Sequence, residues 1–352
     1  MHLTSNRRVT YGIVVIAGLI ATTCGSVVFL PSAASAVSRV RPAAVSSPEP
    51  VFLGTYPGID TYEPVLEVGA LEAAKALHVK LVWRVPETFD TAQQLNITED
   101  ALSLPNLRGL SVVAADPNSL EGVVREALAK GLGVSQLAGC SATSAAPVCY
   151  DSQPYALGTT AAMHMGQLMG GSGDVVIATG IPGNANDQGY INGARAYFTA
   201  HYPNIHIVQT LYNCDETDNT VACAESALSA HPNLKGYLGA GNETTIGAET
   251  VFPQAHVHPI VATEQNDPQT VAGIKAGSVS FTQVQPAVCQ GYLMVLIPYE
   301  EVFDHLKPHV KYFNTGSIYV DKANVNNYNS LITPQCNQII KFVNSHVMAK
   351  SA

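Results

Sequence analysis

From Val51 onward the chain alternates short apolar runs with longer segments whose apolar residues recur every three to four positions. "VFLGTY" is strand-like, and "EPVLEVGALEAAKALH" has helical spacing and good helix formers. "VKLVWRV" is a strand and Gln93–Leu102 a polar helical stretch. "LRGLSVVAA" is a buried strand ending at the turn "DPNS"; the helix "LEGVVREALAKG" is stopped by Gly131, and "LGVSQLA" is the next strand. The rhythm then repeats through the helix "YALGTTAAMHMGQLMGG" and the strand "GDVVIATG", and continues to the long helix "QGYLMVLIPYEEVFDHL" and the stretch "YFNTGSIYV". Such alternation predicts parallel strands with helices on both faces of a sheet. About ten strands are many for one twisted open sheet. A chain of 352 residues, 47% of them hydrophobic, can fill two cores. The expected class is therefore α/β, with two similar doubly wound lobes.

The N-terminus reads as an export signal. Arg7 and Arg8 precede an apolar run from Tyr11 to Leu30, and Ala34-Ser35-Ala36 fits a small-x-small cleavage site, so residues 1–36 are taken as a signal peptide. An uncleaved anchor through residues 11–30 is the rival. A lipidated Cys24 fits less well, because "ATTC" is a poor lipidation box and "VVFL" follows it. Residues 37–50 read as a flexible leader. Cleavage would remove two of the 18 basic residues and none of the 27 acidic ones, leaving a formal balance of −11. That balance argues against nucleic acid and anionic membrane surfaces as partners.

Setting Cys24 aside leaves six cysteines, an even number that suggests disulfides in an exported protein. Cys140 and Cys149 bracket one polar loop and Cys214 and Cys223 another, which leaves Cys289 for Cys336. Six cysteines allow roughly 15 connectivities, so this choice rests on proximity in sequence. No C-x-x-C spacing supports a metal, and neither a metal nor a cofactor is expected.

Several segments together resemble the type I periplasmic sugar-binding proteins, the ribose- and galactose-binding group that serves ABC transporters. "LRGLSVVAADPNSLEGVVREALAKGLGV", "GDVVIATGIPGNANDQGYINGARAYFTAHYPNIHIV", "ALSAHPNLKGYLGAGNETTIGA" and "PQTVAGIKAGSVSFTQVQPAVCQGY" occur in the family's order, and the likeness runs from about Val51 to about Tyr328. The resemblance implies two lobes joined by a three-segment hinge with a ligand cleft between them. Residues 51–152 plus 286–314 would form the N-terminal lobe, and 153–285 plus 315–330 the C-terminal lobe. Residues 331–352 would be a C-terminal tail pinned by Cys336. Repressors with the same domain carry an N-terminal helix-turn-helix, whereas an export signal stands in that place here.

In "LKGYLGAGNETTIGA" a strand hands over to a helix at Asn242-Glu243, on the sheet edge where α/β proteins bind ligands. By resemblance this pair is a ligand clamp; the alternative is a helix cap with an acidic first turn. The resemblance also implies ligand roles for Tyr56, Asp60, Tyr62 and Glu63 after the first strand, which otherwise form a surface turn. It implies the same for Glu264 and for Gln285 at the hinge, with Gln283 as the alternative. Asn184, Asn186 and Asp187 either enter the cleft or cap the next helix. Rings would cover the apolar face of a sugar, and carboxylates and amides would take its hydroxyls. The chain departs from the family where Ala138-Gly139 replace an acidic-basic pair, where Gln188–Tyr190 replace an arginine, and where Glu replaces Asp at 243 and 264. A site poor in arginine and rich in carboxylates also suits a cationic solute.

Trp83 and the methionines 163, 165 and 169 read as core, His256 and His258 as surface, and Asn96 and Asn242 begin sequons. No G-x-S-x-G or H-E-x-x-H occurs, so no catalytic residue and no enzyme is expected. The resulting expectation is an extracytoplasmic, monomeric solute-binding protein partnering a membrane ABC permease. A sensor signalling to a receptor or kinase is the alternative.

Overall fold

A computed structural model describes residues 48–350 except 117, 216, 242 and 265–267. The signal segment, the possible anchor at 11–30, Cys24, most of the leader and Asn242 lie outside the described residues. The chain runs β1 (Val51–Thr55), α1 (Glu63–Leu77), β2 (Lys80–Arg84), α2 (Thr91–Ala101), β3 (Leu107–Val113), α3 (Glu121–Ala129), β4 (Gly133–Leu137) and β5 (Cys149–Asp151). It continues with α4 (Pro154–Leu168), β6 (Ser172–Thr179), α5 (Ala185–His201), β7 (Asn204–Leu211), α6 (Thr217–Ala230), β8 (Gly236–Ala240), α7 (Ile246–Gln254), β9 (Ile260–Thr263), α8 (Pro268–Ala276) and β10 (Phe281–Val284). Last come α9 (Ala287–Val302), β11 (Leu306–Pro308), β12 (Tyr312–Asn314), β13 (Ile318–Asp321), α10 (Tyr328–Phe342) and β14 (Met348–Lys350).

The strands form two six-stranded sheets, β12-β5-β4-β3-β1-β2 and β13-β10-β9-β8-β6-β7. Read from β2 and from β7, the two share one winding order. In each, the first two crossovers leave the sheet's first strand in opposite directions, so β1/β3 and β6/β8 are equivalent switch points. Strands covered on both sides must be apolar throughout, and β1, β4 and β8 are buried at every residue. The chain passes between the sheets three times, at 152–153, 285–286 and 315–317. The sheets are not wholly parallel: β13 runs antiparallel to β10. It follows β12 of the other sheet after only three residues.

Glycine sets the spacing of one helix pair in each lobe. A Cβ at Gly69 or Gly291 would run into the carbonyl of Val288 or Leu66, so α1 and α9 touch backbone to backbone. Gly158 and Gly193 do the same for α4 and α5 against Tyr190 and Tyr155. Gly158→Val is expected to destabilise the protein by about 1–3 kcal/mol by forcing this pair apart. Urea unfolding checks it, and an unchanged midpoint would refute the close packing. Pro298 inside α9 removes an N–H and orphans the Met294 carbonyl. The Ser111 hydroxyl of β3 donates to that oxygen at 2.6 Å.

All three cysteine pairs join as the spacing suggested, with Cα–Cα distances of 5.6 Å for 140–149, 6.0 Å for 214–223 and 5.3 Å for 289–336. The C-terminal segment is more than a pinned tail. It forms α10 and β14, and β14 pairs antiparallel with β11. Ile332 packs on the second lobe's core, while Ile339, Val343, Val347 and Met348 are buried in the first lobe's. Gln335 donates to the Thr315 carbonyl at 3.3 Å, so α10 lies across one crossing segment.

Candidate functional site

A cavity of about 500 Å³ lies between the carboxyl ends of the two sheets. Its lining comes from the last residues of strands β1 to β10 and from the loops and first helical turns that follow them. This is the edge where open α/β sheets hold ligands.

The first-lobe wall is aromatic. Tyr56, Tyr62 and Phe89 cluster, with ring centroids 6.3 Å apart for the tyrosines and 6.5 Å for Tyr56 and Phe89. Asp60 organises the loop: one oxygen accepts the backbone N–H groups of Tyr62 and Glu63, both at 2.8 Å, and the other takes the Tyr56 hydroxyl at 2.6 Å. It therefore fixes the turn that leads into α1 while lining the cavity. Burial and the neighbouring Asp60 hold both phenols well above their ordinary range, so each remains a protonated donor. Tyr62 donates to Gln290, a fully buried residue of α9. The Gln290 amide donates in turn to Ser152 at 3.2 Å and Thr315 at 2.9 Å. Those two residues sit on two of the three crossing segments, so the cavity wall is hydrogen-bonded to the hinge. Asp151, at the cavity's edge, accepts from the Tyr312 hydroxyl and the Gln153 N–H, both at 2.6 Å.

The second-lobe wall is acidic. Asn184 caps α5 through the N–H groups of Asn186 at 3.0 Å and Asp187 at 3.5 Å, and it also lines the cavity, so capping and lining coexist. Asp187 is 4% exposed and accepts from Thr179 at 3.1 Å and the Gly180 N–H at 3.2 Å. Glu264 accepts from the Gly241 N–H at 2.7 Å. Burial pushes Glu264 up to about 7, the Gly241 bond opposing it. Burial first and Glu264 second push Asp187 up as well. Tyr190, buried beside them, has no hydrogen-bond partner for its hydroxyl among the described residues. Glu243 takes φ of 60°. A non-glycine residue there is uncommon and marks local strain at functional loops.

The cavity brings together Tyr56, Asp60, Tyr62, Asn184, Asn186, Asp187, Glu243, Glu264 and Gln285. Glu63 is not among its lining: its carboxylate turns inward to accept from the Trp83 indole, which packs over Gly54 within the core. The cause is helical geometry, since Glu63 opens α1 one position beyond Tyr62 and faces a different side. Gln283 is likewise buried in β10, accepting from Ser317 at 3.2 Å. The sequence reading missed Phe89, Glu87, Asp151 and Asp215, which also line the cavity. Their signal is position: each stands at or just after the end of a strand. Seven lining residues are carboxylates: Asp60, Glu87 and Asp151 from the first lobe, and Asp187, Asp215, Glu243 and Glu264 from the second. No lysine, arginine or histidine lines the cavity among the described residues.

Residues 51–301 match the family model for the periplasmic binding protein domain. The chain belongs to that family. This binding protein is 24% identical over 315 residues to a xylose/arabinose-binding protein, XylF, of Sulfolobus acidocaldarius, covering 81% of this chain and 77% of that one. Among solved structures it resembles an ABC transporter solute-binding protein from Burkholderia graminis in complex with D-arabinose. The TM-score is 0.74 and the identity 27%, over 80% of this chain and 98% of that one. A solute-binding protein of Actinobacillus succinogenes with bound D-allose has a TM-score of 0.73 at 22% identity, over 80% of this chain and 100% of the other, and shows the shared fold. No helix among the described residues is long and apolar enough to cross a membrane.

Proposed function

We propose that the protein is an exported solute-binding protein that captures a small polyhydroxylated solute between its lobes and delivers it to an ABC importer. The cavity carries this reading: aromatic faces on one lobe oppose amides and carboxylates on the other, at the strand ends of both sheets. Tyr56, Tyr62 and Phe89 would cover the apolar face of a ring. Asn184, Asn186, Asp187, Asp215, Glu243, Glu264 and Gln285 would take its polar groups in place of water. The similarity to proteins described as binding xylose, arabinose and allose supports a ligand of monosaccharide size. Binding without turnover is the activity, and lobe closure about the crossings at 152–153, 285–286 and 315–317 is the signal to the permease. Cleavage after Ala36 and a monomeric state belong to this reading.

Native mass spectrometry of the protein as purified, together with calorimetric titration of monosaccharides and their derivatives, tests it. A bound small molecule, or a stoichiometry of one with micromolar or tighter affinity, is expected. No retained mass and no heat with any small solute would refute it.

A further inference from the structure

We propose that the captured solute carries a protonated amine, as an amino sugar does, and that Asp187, Asp215 and Glu264 receive it. The inference rests on the capture reading and names the ligand's charge. Three observations converge on one corner of the cavity. First, Asp187 and Glu264 lie in the cavity wall with only neutral donors: Thr179 and Gly180 for Asp187, and Gly241 for Glu264. Second, glycine lets the carboxylates of that corner crowd against the backbone. A Cβ at Gly180 would strike the Asp215 carboxylate and sit 3.0 Å from Asp187 Oδ2, and one at Gly241 would lie 3.1 Å from the same Asp187 oxygen. Third, no basic side chain lines the cavity among the described residues. Like carboxylates brought together out of water resist joint ionisation. Hydroxyls can hydrogen-bond to them but leave the charge uncompensated, whereas an ammonium donates up to three hydrogen bonds and neutralises charge at once. The opposite wall of Tyr56, Tyr62 and Phe89 suits a cation as well as a ring face.

Glu264 faces Asp187, Tyr62 and Tyr190, and of these the Asp187 carboxyl resists ionising together with it out of water. An amine that stays protonated across this range, such as putrescine, should therefore bind better as pH rises from 6 to 8 and release protons on binding, whereas an amino sugar, whose ammonium titrates at about pH 8, takes a proton up and offsets that gain.

The test is calorimetric titration at pH 6 and pH 8 with D-glucosamine, D-galactosamine, D-mannosamine and putrescine, alongside glucose, galactose, mannose, arabinose, xylose and allose. Two buffers of different ionisation enthalpy count the protons released. At least one amino sugar is expected to bind ten times or more tighter than its neutral counterpart, and putrescine is expected to bind more tightly at pH 8 than at pH 6. Asp187→Asn should abolish the preference. A neutral sugar binding as tightly as any amine, or an amine panel that fails entirely while a neutral sugar binds, overturns the inference and leaves the capture reading standing. Failure of both panels with no co-purifying mass sinks the capture reading itself.

Discussion

The double variant C289A/C336A is expected to lose about 4 kcal/mol of unfolding free energy, the chain-entropy cost of opening a loop whose ends are 47 residues apart. Changing both cysteines avoids leaving a buried thiol, since Cys289 is fully enclosed in α9. The loss should not release the tail. Ile339, Val343, Val347 and Met348 remain buried in the first lobe's core, each contributing about 1.5–3 kcal/mol by its burial. What changes is the brace. With α10 held at Cys336 by the first lobe and packed through Ile332 on the second, its Gln335 contact to Thr315 sits over a crossing segment. Removing the disulfide should therefore loosen the relation between lobes, seen as faster ligand release at nearly unchanged association. Denaturant unfolding and stopped-flow kinetics check both parts. A variant as stable as the parent would show that α10 is held by packing alone.

Glu264→Gln is expected to stabilise the empty protein while crippling binding. Glu264 has a folded pKa near 7 against an ordinary value of 4.5. A carboxyl raised in the folded state favours folding in its protonated form. The penalty is absent below about pH 4.5, grows as pH rises, and is complete above about pH 7. Its ceiling is about 3 kcal/mol. The glutamine variant lacks that slope and keeps an amide oxygen for the Gly241 N–H. It should match the parent near pH 4.5 and exceed it at pH 8. The same change removes one wall of the acidic corner, and truncating one partner of a buried charge pair costs about 2 kcal/mol or more, roughly thirtyfold in affinity. Thermal unfolding of the empty variant at both pH values, with titration of its ligand, measures the two effects. A variant less stable than the parent at pH 8 would show that Glu264 is held charged by the fold.

The fold was legible because its signals are local and repeated. β1, β6 and β8 centre on apolar runs, and the intervening helices carry their own periodicity and stops. What escaped were elements with no period of their own. β5, β11 and β14 have three residues each, and β5 is a strand only because β4 and β12 flank it. α10 carries Pro334 and a mixed polar pattern, and it holds its place through contacts with both cores. The site divides in the same way. The tyrosines and acids after β1, β6, β8 and β9 stood out by their place at strand ends. Glu63 stood there too, yet one residue's rotation around α1 turned it to Trp83.

By itself the sequence determined the alternation, the two-lobe count, the pairing of cysteines close in the chain, and which strand ends could carry ligand chemistry, because each depends on neighbours within some twenty residues. Only the tertiary structure decided that Asp151, Asp187, Asp215 and Glu264 share one cavity that no lysine, arginine or histidine lines among the described residues. Their meeting is set by sheet order and the three crossings between lobes, and charge compensation is a property of space that spacing along a chain does not encode.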